Sequence, residues 1–276
     1  MTKRILGAAI VLALCAPVFA QGPQAKTQGE RDVLIEIESA TDPDVRIGAI
    51  HKLLTDFKDT EFQEFANLMM MLSYQQKNDY EMMVLYGERT LELNPDNIDT
   101  LVSLSYAIPV RTGEFDLDKD EKLAKAEDFA KRALLAIPTL ENPNPDVTAD
   151  EWLIAKKDFM SQAHDSLGLV ALKRKDYPAA EKSLRQSLQV ASQQSASTFY
   201  HLASALKEQG KNDEALAMAD KSIAAGGVMT TGSGQDLAKA LKAQLIKAKA
   251  AAMMNKSKPA AKPTETVPEV EIVKQQ

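Results

Sequence analysis

The sequence reads HDSLG at residues 164–168 and DYPAA at 176–180, and it returns to this design as FYHLA at 199–203 and NDEA at 212–215. The two segments are in register. Leu167 and Leu202 lie 35 positions apart, and Ala180 and Ala215 are separated by the same interval. A fixed period of this length indicates a repeat architecture, in which each unit buries its apolar face against its neighbours.

These segments resemble the tetratricopeptide repeat, a helix-turn-helix unit of about 34 residues with a Leu-Gly pair and a small alanine where its two helices touch. Leu167-Gly168 and Ala180 show these features. The resemblance divides residues 42–227 into a half repeat and four repeats: 42–59, 60–97, 98–138, 161–194 and 195–227. It implies an all-α fold, a right-handed superhelix (an α-solenoid of antiparallel helix pairs) that ends in a C-terminal capping helix at 228–252.

Helical periodicity supports the early units. In residues 42–57 the apolar side chains recur at helical spacing and form one stripe: Ile47, Ile50, Leu53, Leu54 and Phe57. Asp42 or Asp44 is expected to cap the start of this helix. Residues 30–39 fit both a strand and a helix, and we favour the helix because everything that follows is helical.

Two further helix starts are marked later in the chain. Thr148 and Glu151 form a capping box that opens a long helix. Trp152 on this helix is expected to pack between repeats, and stacking on a ligand is the alternative. Ser233 and Asp236 are expected to cap the last helix, which has one apolar face: Leu237, Leu241, Leu245 and Ala248.

The second repeat contains an insertion. Pro95 and Pro138 lie 43 positions apart, nine more than a standard unit, and Pro109 is expected to end the first helix early. The insert has acidic residues that partly match a calcium loop: Asp116, Asp118, Asp120 and Glu127. Glu121 stands where such a loop needs glycine. We favour the alternative that these carboxylates form an acidic helix start.

The two ends of the chain lack the repeat pattern. Lys3 and Arg4 precede an apolar run, and Val18-Phe19-Ala20 resembles a cleavage site, so residues 1–20 are expected to be a secretory signal peptide cleaved near Ala20. This predicts an exported protein, periplasmic or secreted, with no integral membrane segment after cleavage. Residues 21–41 are expected to be a flexible lead-in with a possible short helix, and residues 253–276 a disordered tail.

Composition excludes several functions. The single cysteine, Cys15, leaves with the signal peptide, so the mature chain has no thiol chemistry and no disulfide. The formal net charge is −6, and it becomes two units more negative when Lys3 and Arg4 are removed. A nucleic-acid partner is not expected, because phosphate contacts need clustered Lys and Arg side chains.

The sequence contains no catalytic motif. His51, His164 and His201 each lack an acidic or histidine partner one helical turn later. The runs at residues 69–71 and 82–83 contain only methionines, but consecutive helical residues point about 100° apart and do not converge on one copper ion. They are therefore interpreted as core residues. The sequence predicts no enzyme activity and no cofactor.

The resemblance implies that the first helices of successive repeats line a concave groove that holds a peptide. The groove positions carried over to this sequence are Leu68, Leu72, Gln75 and Gln76 in the first repeat, Tyr106 in the second, Asp165, Leu169 and Lys173 in the third, and Tyr200, Ser204, Lys207 and Glu208 in the fourth. Phe65, Asp99, Val102, Gln162, Leu172 and Ser197 fall at further groove positions. The Lys and Asn residues of the carboxylate-clamp subgroup are matched only in part, by Lys173 and Lys207.

The predicted function is therefore a non-catalytic, exported scaffold or adaptor that binds a protein or peptide partner in this groove. Two alternatives stay open. One is a calcium-dependent or envelope-processing role centred on the acidic insert at residues 116–127. The other is action at a membrane surface through the last helix, whose polar faces carry lysines.

Overall fold

The computed structural model describes residues 22–230 and 234–257, and within those ranges the chain forms eleven α-helices and one short 3-10 helix. In order they are α1 (Gln28–Ser39), α2 (Pro43–Asp56), α3 (Gln63–Gln76), α4 (Tyr80–Leu93), α5 (Ile98–Arg111), α6 (Lys119–Ala136), the 3-10 helix (Ile137–Thr139), α7 (Ala149–Lys173), α8 (Tyr177–Val190), α9 (Ala196–Glu208), α10 (Asn212–Ala224) and α11 (Leu237–Ser257). The fold is an all-α helical solenoid. That part of the fold prediction is confirmed.

The helices pack as successive pairs. α1 packs on α2, α3 on α4, α5 on α6, α7 on α8 and α9 on α10, and each pair contacts the next. From α5 onward the first helices of neighbouring pairs also touch, since α5 contacts α7 and α7 contacts α9, and α9 contacts the last helix, α11. These first helices therefore lie side by side on one side of the solenoid.

Local hydrogen bonds explain where many helices begin. The Asp42 carboxylate accepts from the backbone of Asp44 at 2.8 Å, and the Asn97 side chain accepts from the Thr100 amide at 3.0 Å. Both halves of the predicted capping box form between Thr148 and Glu151. The lead-in forms the helix α1, as favoured from the sequence.

The turns inside three repeats share one backbone conformation. Asn78, Lys175 and Gly210 each follow the first helix of a pair, and their φ angles are 57°, 63° and 76°. A positive φ places these residues in the left-handed region, which ends a helix and returns the chain. Lys175 adopts it without the conformational freedom of glycine.

The apolar core has two parts that meet within α7. The first runs from α1 to Val170 and includes Met70, Met71 and Met83, which confirms that these methionines fill the core. The second runs from Ala171 to α11 and is built on small alanines and on Leu184, Leu202 and Leu206. Because α7 contributes to both, it joins the two halves of the solenoid.

The prediction that Pro109 ends its helix early is wrong. α5 continues to Arg111, and the Thr112 amide donates to the carbonyl of Ile108 at 3.0 Å. Proline lacks the N–H that would have bonded to the carbonyl of Ser105 one turn earlier, and its ring crowds that carbonyl. The buried Pro109 ring lies within the last turn, where helical packing outweighs that loss.

The second half of the chain shows how Trp152 is held and where the last helix ends. The indole N–H of Trp152, which is half buried, donates to the carbonyl of Leu140 at 3.4 Å, so Trp152 fastens the loop after the 3-10 helix to α7. The last helix runs to Ser257 and covers the end of the core with Leu241 and Leu245.

Asp236 caps this helix by accepting from the Ala238 amide at 3.0 Å. Ser233, the predicted signal peptide at residues 1–20 and residues 258–276 of the predicted tail lie outside the described residues. The first residues of the predicted tail, 253–257, belong to α11. None of the helices described in residues 22–230 and 234–257 has the length and apolar character to cross a bilayer.

Candidate functional site

Two adjoining cavities lie on the side of the solenoid formed by the first helices. The first has a volume of about 500 Å³ and the second about 260 Å³. Tyr106 on α5 and Gln162 on α7 line both, so the cavities form one continuous surface, which we call the groove. The first cavity has mainly polar walls that include Asp158, Ser161, Asp165, Ser192, Ser195 and Ser197. The second has more apolar walls, which include Tyr80, Met83, Val102, Ala107 and Val110.

Small side chains let α5 and α7 approach beneath the groove. The hydroxyl of Ser105 is 3.0 Å from the hydroxyl of Ser166, and both residues are fully buried. Successive helical residues point about 100° apart. Ser105 and Ser166 point into the contact between the two helices, so the residues next to them in sequence point elsewhere. Tyr106 on α5 and Asp165 on α7 both line the first cavity.

Asp165 is the most unusual group in the first cavity. The residue is only 6% exposed, and its Oδ1 atom has no hydrogen-bond partner within the described part of the chain. The Nδ1 atom of His201 lies 3.8 Å from that oxygen, which is too long for a hydrogen bond. The cavity thus contains a buried carboxylate that is incompletely paired.

The carboxylate of Asp165 affects the pKa of Tyr106. Burial raises the pKa of Tyr106 above its usual value, the negative charge of Asp165 acts in the same direction, and a hydrogen bond with Ser197 opposes both. A phenol in this setting stays protonated at neutral pH and donates a hydrogen bond. The phenol therefore adds a donor to the polar end of the groove.

The rim of the first cavity is fastened to α7. The Asp158 carboxylate accepts from the Ser192 amide at 2.9 Å and from the Ser192 hydroxyl at 2.7 Å. Ser161 donates to the carbonyl of Ser187 at 3.1 Å. These bonds hold the last turns of α8 and the loop that follows it against α7, so the cavity wall is fixed by neighbouring elements.

The second cavity is bounded by the turn between α3 and α4. The Arg111 guanidinium lies over the ring of Tyr80, 5.9 Å from its centre. Burial raises the pKa of Tyr80, so this phenol is also neutral. The cavity presents apolar and aromatic surface beside the polar first cavity.

The structure brings some of the predicted groove residues together. Gln75, Tyr106 and Asp165 line the cavities, as do Val102, Gln162 and Ser197, which were assigned to further groove positions. These six come from α3, α5, α7 and α9, so the residues cross three inter-repeat boundaries.

Other predicted groove residues are placed differently. Leu68 and Leu169 are only 4% and 6% exposed, so these side chains belong to the packing beneath the groove. Leu72 is half buried and packs on the same core. The Gln76 amide donates to the carbonyl of Thr41 at 3.3 Å, and the Lys173 ammonium donates to that of Thr112 at 2.7 Å. Both side chains thus fasten neighbouring backbone.

The predicted residues of α9 lie beyond the two cavities. Tyr200 packs on the second core and against the ring of His201, with ring centres 5.7 Å apart. Ser204 donates to the carbonyl of Tyr200 at 3.0 Å, and Lys207 pairs with Glu208 at 3.2 Å. α9 reaches the first cavity through Ser197 instead.

The acidic insert does not gather its carboxylates. Asp116 accepts from the Gly113 amide at 3.0 Å and pairs with Lys122 at 3.2 Å, while Asp118 lies 2.9 Å from the same lysine. Within the described ranges no cluster of acidic, histidine or cysteine side chains has the geometry to hold a metal ion.

Glu127 is engaged elsewhere. It pairs with Lys131 at 2.5 Å and with Arg174 of α7. These cations hold the pKa of Glu127 below its ordinary value, and Lys131 has the larger effect. Asp120 lies on the first turn of α6, where an acidic side chain favours the helix start.

Sequence reasoning missed the groove residues that lie outside the first helices. Ser192 and Ser195 come from the loop before α9, and Asp158 comes from the part of α7 that precedes the predicted repeat boundary. The run SQQSAS at 192–197 is a polar signal in the sequence. Its relation to Asp158, 34 positions earlier, depends on how α7 and α8 pack.

Comparison with known proteins identifies the fold. No family model matches the chain, and no curated protein matches it. A solved structure of PilW, described as a widely conserved type IV pilus biogenesis factor, is 18% identical, with a TM-score of 0.53 over 83% of this chain and 94% of that one. An assembly chaperone of RpL4 is 10% identical, with a TM-score of 0.50 over 83% of this chain and 99% of that one.

A thermophilic tetratricopeptide repeat protein of Thermus thermophilus also matches, at 18% identity and a TM-score of 0.49 over 80% of this chain and 99% of that one. The chain shares an all-α solenoid fold with the PilW structure and with the assembly chaperone of RpL4. At these identities the likeness concerns the fold alone.

Proposed function

We propose that this protein is a non-catalytic, exported scaffold that binds a peptide segment of a protein partner in the groove. The observation that carries the proposal is the continuity of the two cavities at Tyr106 and Gln162. A surface that crosses several repeats fits an extended chain better than a small molecule, because no single repeat encloses it.

The chemistry of the groove supports a peptide occupant. One end offers Tyr80, Ala107 and Val110 to apolar side chains, and the other offers hydroxyl and carboxylate groups that can bond with a peptide backbone or polar side chain. Peptide recognition commonly combines apolar anchors with a polar rim.

A scaffold is favoured over an enzyme by the state of the titratable groups. Burial lowers the pKa of His164, and the Nδ1 atom of His164 has no hydrogen-bond partner among the described residues, so no carboxylate holds that nitrogen as in a catalytic triad. His201 does not line either cavity. Neither histidine is paired as a catalytic base requires.

The test is site-specific photo-crosslinking in cells that make the full chain. A photo-crosslinking amino acid at Gln162, which lines both cavities, should capture a protein partner. The matched control is the same amino acid at Ala124, which is exposed on the second helix α6 and lines neither cavity. Equal capture at Gln162 and Ala124 would argue against the groove.

A pair of tyrosine variants sharpens the test. Tyr106→Ala should abolish capture at Gln162, because Tyr106 lines both cavities. Tyr200→Ala should leave capture intact, since Tyr200 lies outside them. Both variants should keep full helical circular dichroism. The opposite result would move the binding surface along α9.

Export has a separate test. Mass spectrometry of the chain recovered from the cell envelope or medium should give an N-terminus at Gln21 if residues 1–20 are a cleaved signal peptide. An intact N-terminus, or recovery only from the cytosol, contradicts export and leaves the groove proposal unaffected.

A further inference from the structure

The first cavity has a charge imbalance. Its walls contain the carboxylates of Asp158 and Asp165, and the remaining side chains that line it are Ser, Thr, Tyr and Gln. In the part of the chain that the structure describes, no Lys, Arg or His side chain lines this cavity. The cavity is therefore electronegative.

The two carboxylates differ in how they are paired. Both Asp158 oxygens accept hydrogen bonds from Ser192, at 2.9 and 2.7 Å, so Asp158 fixes the cavity rim. The Asp165 side chain is more than nine-tenths buried, and its Oδ1 atom accepts no hydrogen bond from the described residues. Among those residues, His201 is the one cation-forming group that faces it within 4 Å, at 3.8 Å.

A buried carboxylate without a full set of donors is costly to fold, so a purely structural role would call for a partner in the free protein. The Oδ1 atom is itself buried and lies 3.8 Å from the Nδ1 atom of His201, which also has no hydrogen-bond partner among the described residues, so a cation would approach the carboxylate from the cavity side. The cavity of about 500 Å³ leaves room for it beside Asp165.

We propose that the first cavity receives a lysine or arginine side chain of the bound peptide, with Asp165 as its counter-ion. This inference rests on the proposed peptide-binding function of the groove. The hydroxyls of Ser161 and Ser197 and the amide oxygen of Gln162 accept the remaining N–H bonds of an ammonium or guanidinium group. The Tyr106 ring adds an aromatic wall, which attracts a cation.

The second cavity restricts the peptide residue next to the basic one. Because Tyr106 and Gln162 line both cavities, the residue that enters the second cavity lies close along the peptide to the basic one. Its accessible apolar walls, Tyr80, Ala107 and Val110, favour an apolar side chain. The partner segment is therefore a basic residue beside an apolar one.

The test begins with a random peptide library selected on the full chain, with Tyr106→Ala as the counter-selection. Selected peptides should share a Lys or Arg near an apolar residue. Fluorescence anisotropy then gives the affinity of one selected peptide and of its Lys→Gln or Arg→Gln form for the wild type and for Asp165→Asn.

The four affinities form a double-mutant cycle. Replacing the basic residue by Gln should weaken binding to the wild type by about tenfold or more, and it should have little effect on binding to Asp165→Asn. Asp158→Asn is the control variant. Its cycle should show little coupling, because Ser192 already satisfies Asp158.

The thermal midpoint of Asp165→Asn separates recognition from structure. A buried, incompletely paired carboxylate lowers the stability of the free protein, so Asp165→Asn should have a melting temperature equal to or above that of the wild type. A lower midpoint would assign Asp165 a structural role and overturn the inference.

Two other results are decisive. If selected peptides bind in a Tyr106-dependent manner but show no preference for Lys or Arg, the inference fails while the groove function stands. If no peptide distinguishes the wild type from Tyr106→Ala, both fail. Should Asp165→Asn not fold, the Lys→Gln and Arg→Gln peptides on the wild type still decide, since an unchanged affinity excludes the counter-ion.

Discussion

Gly168 on α7 and Leu184 on α8 lie so close that a Cβ atom added to Gly168 would stand 2.5 Å from the Cγ atom of Leu184. Carbon atoms do not approach this closely without a shift of one helix. The same relationship joins Gly87 on α4 to Leu104 on α5, where the corresponding distances begin at 2.9 Å. Glycine thus sets the helix spacing both within a repeat and between repeats.

Replacing Gly168 by Ala should destabilise the protein. The added methyl overlaps Leu184, which is fully buried, so the change should lower the free energy of unfolding by about 1–3 kcal/mol. Urea denaturation followed by circular dichroism measures it. Gly48→Ala is the matched control: Gly48 lies in α2 with open space at its Cβ position, and this change should add about 0.4–1 kcal/mol. Similar effects at both glycines would exclude the packing explanation.

Once Leu184 is replaced by Ala, Gly168→Ala should no longer destabilise the protein. Leu184→Ala alone should cost about 2–5 kcal/mol, because it leaves a cavity in the second core. In that background Gly168→Ala no longer meets the leucine side chain and should cost nothing or stabilise, so the two changes are not additive. The same urea experiment on the double variant measures the coupling. Strict additivity would mean that the two residues do not restrict each other.

Glu114 should give a pH-dependent contribution to stability. Hydrogen bonds from Lys175, at 2.7 Å, and then from Lys119, at 2.9 Å, lower the pKa of Glu114 to about 2 from its usual 4.5. A carboxylate with a depressed folded-state pKa stabilises the fold above its unfolded pKa and loses that contribution as the pH falls through the folded one. The wild type should therefore exceed Glu114→Gln in stability above pH 4.5, and the difference should vanish near pH 2.

The measurement is urea denaturation of both proteins at a series of pH values. Since the Glu114 and Lys175 side chains are well exposed, the difference should be small and should shrink further in high salt. A difference that stays constant from neutral pH to pH 2 would show that the ion pairs are not its source.

Calcium should leave the stability of the protein unchanged. Asp116 and Asp118 share Lys122, and Glu127 pairs with Lys131 and Arg174, so these carboxylates are already satisfied. A ligand that binds only the native state raises the melting temperature in proportion to the logarithm of its concentration. Thermal melts with added Ca²⁺ and with a chelator should coincide. A rise with Ca²⁺ that Asp116→Asn abolishes would restore the calcium hypothesis.

The helices follow closely from the sequence, because their signals are local. The capping box at Thr148 and Glu151 and the cap at Asp42 each satisfy backbone amides within three residues. Pro109 shows the limit of local signals. Its ring disfavours a helix, yet burial in the α5 packing keeps it within the last turn.

The groove could be predicted only in part. Repeat positions predicted Tyr106 and Asp165, which line the first cavity, but the same rule included Leu68 and Leu169, which lie in the core. A modest rotation about a helix axis decides between the two environments. That rotation depends on the neighbouring helices and has no signature in the spacing of one repeat.

The sequence by itself determined the repeat period, the helices and the all-α solenoid, because these depend on hydrogen bonds and apolar spacing within a few turns of chain. Only the tertiary structure decided that Asp158 meets Ser192 while Asp165 stays incompletely paired beside His201. Those relations join residues 34 and 36 positions apart. They are set by how closely whole helices pack, which is a property of the assembled core.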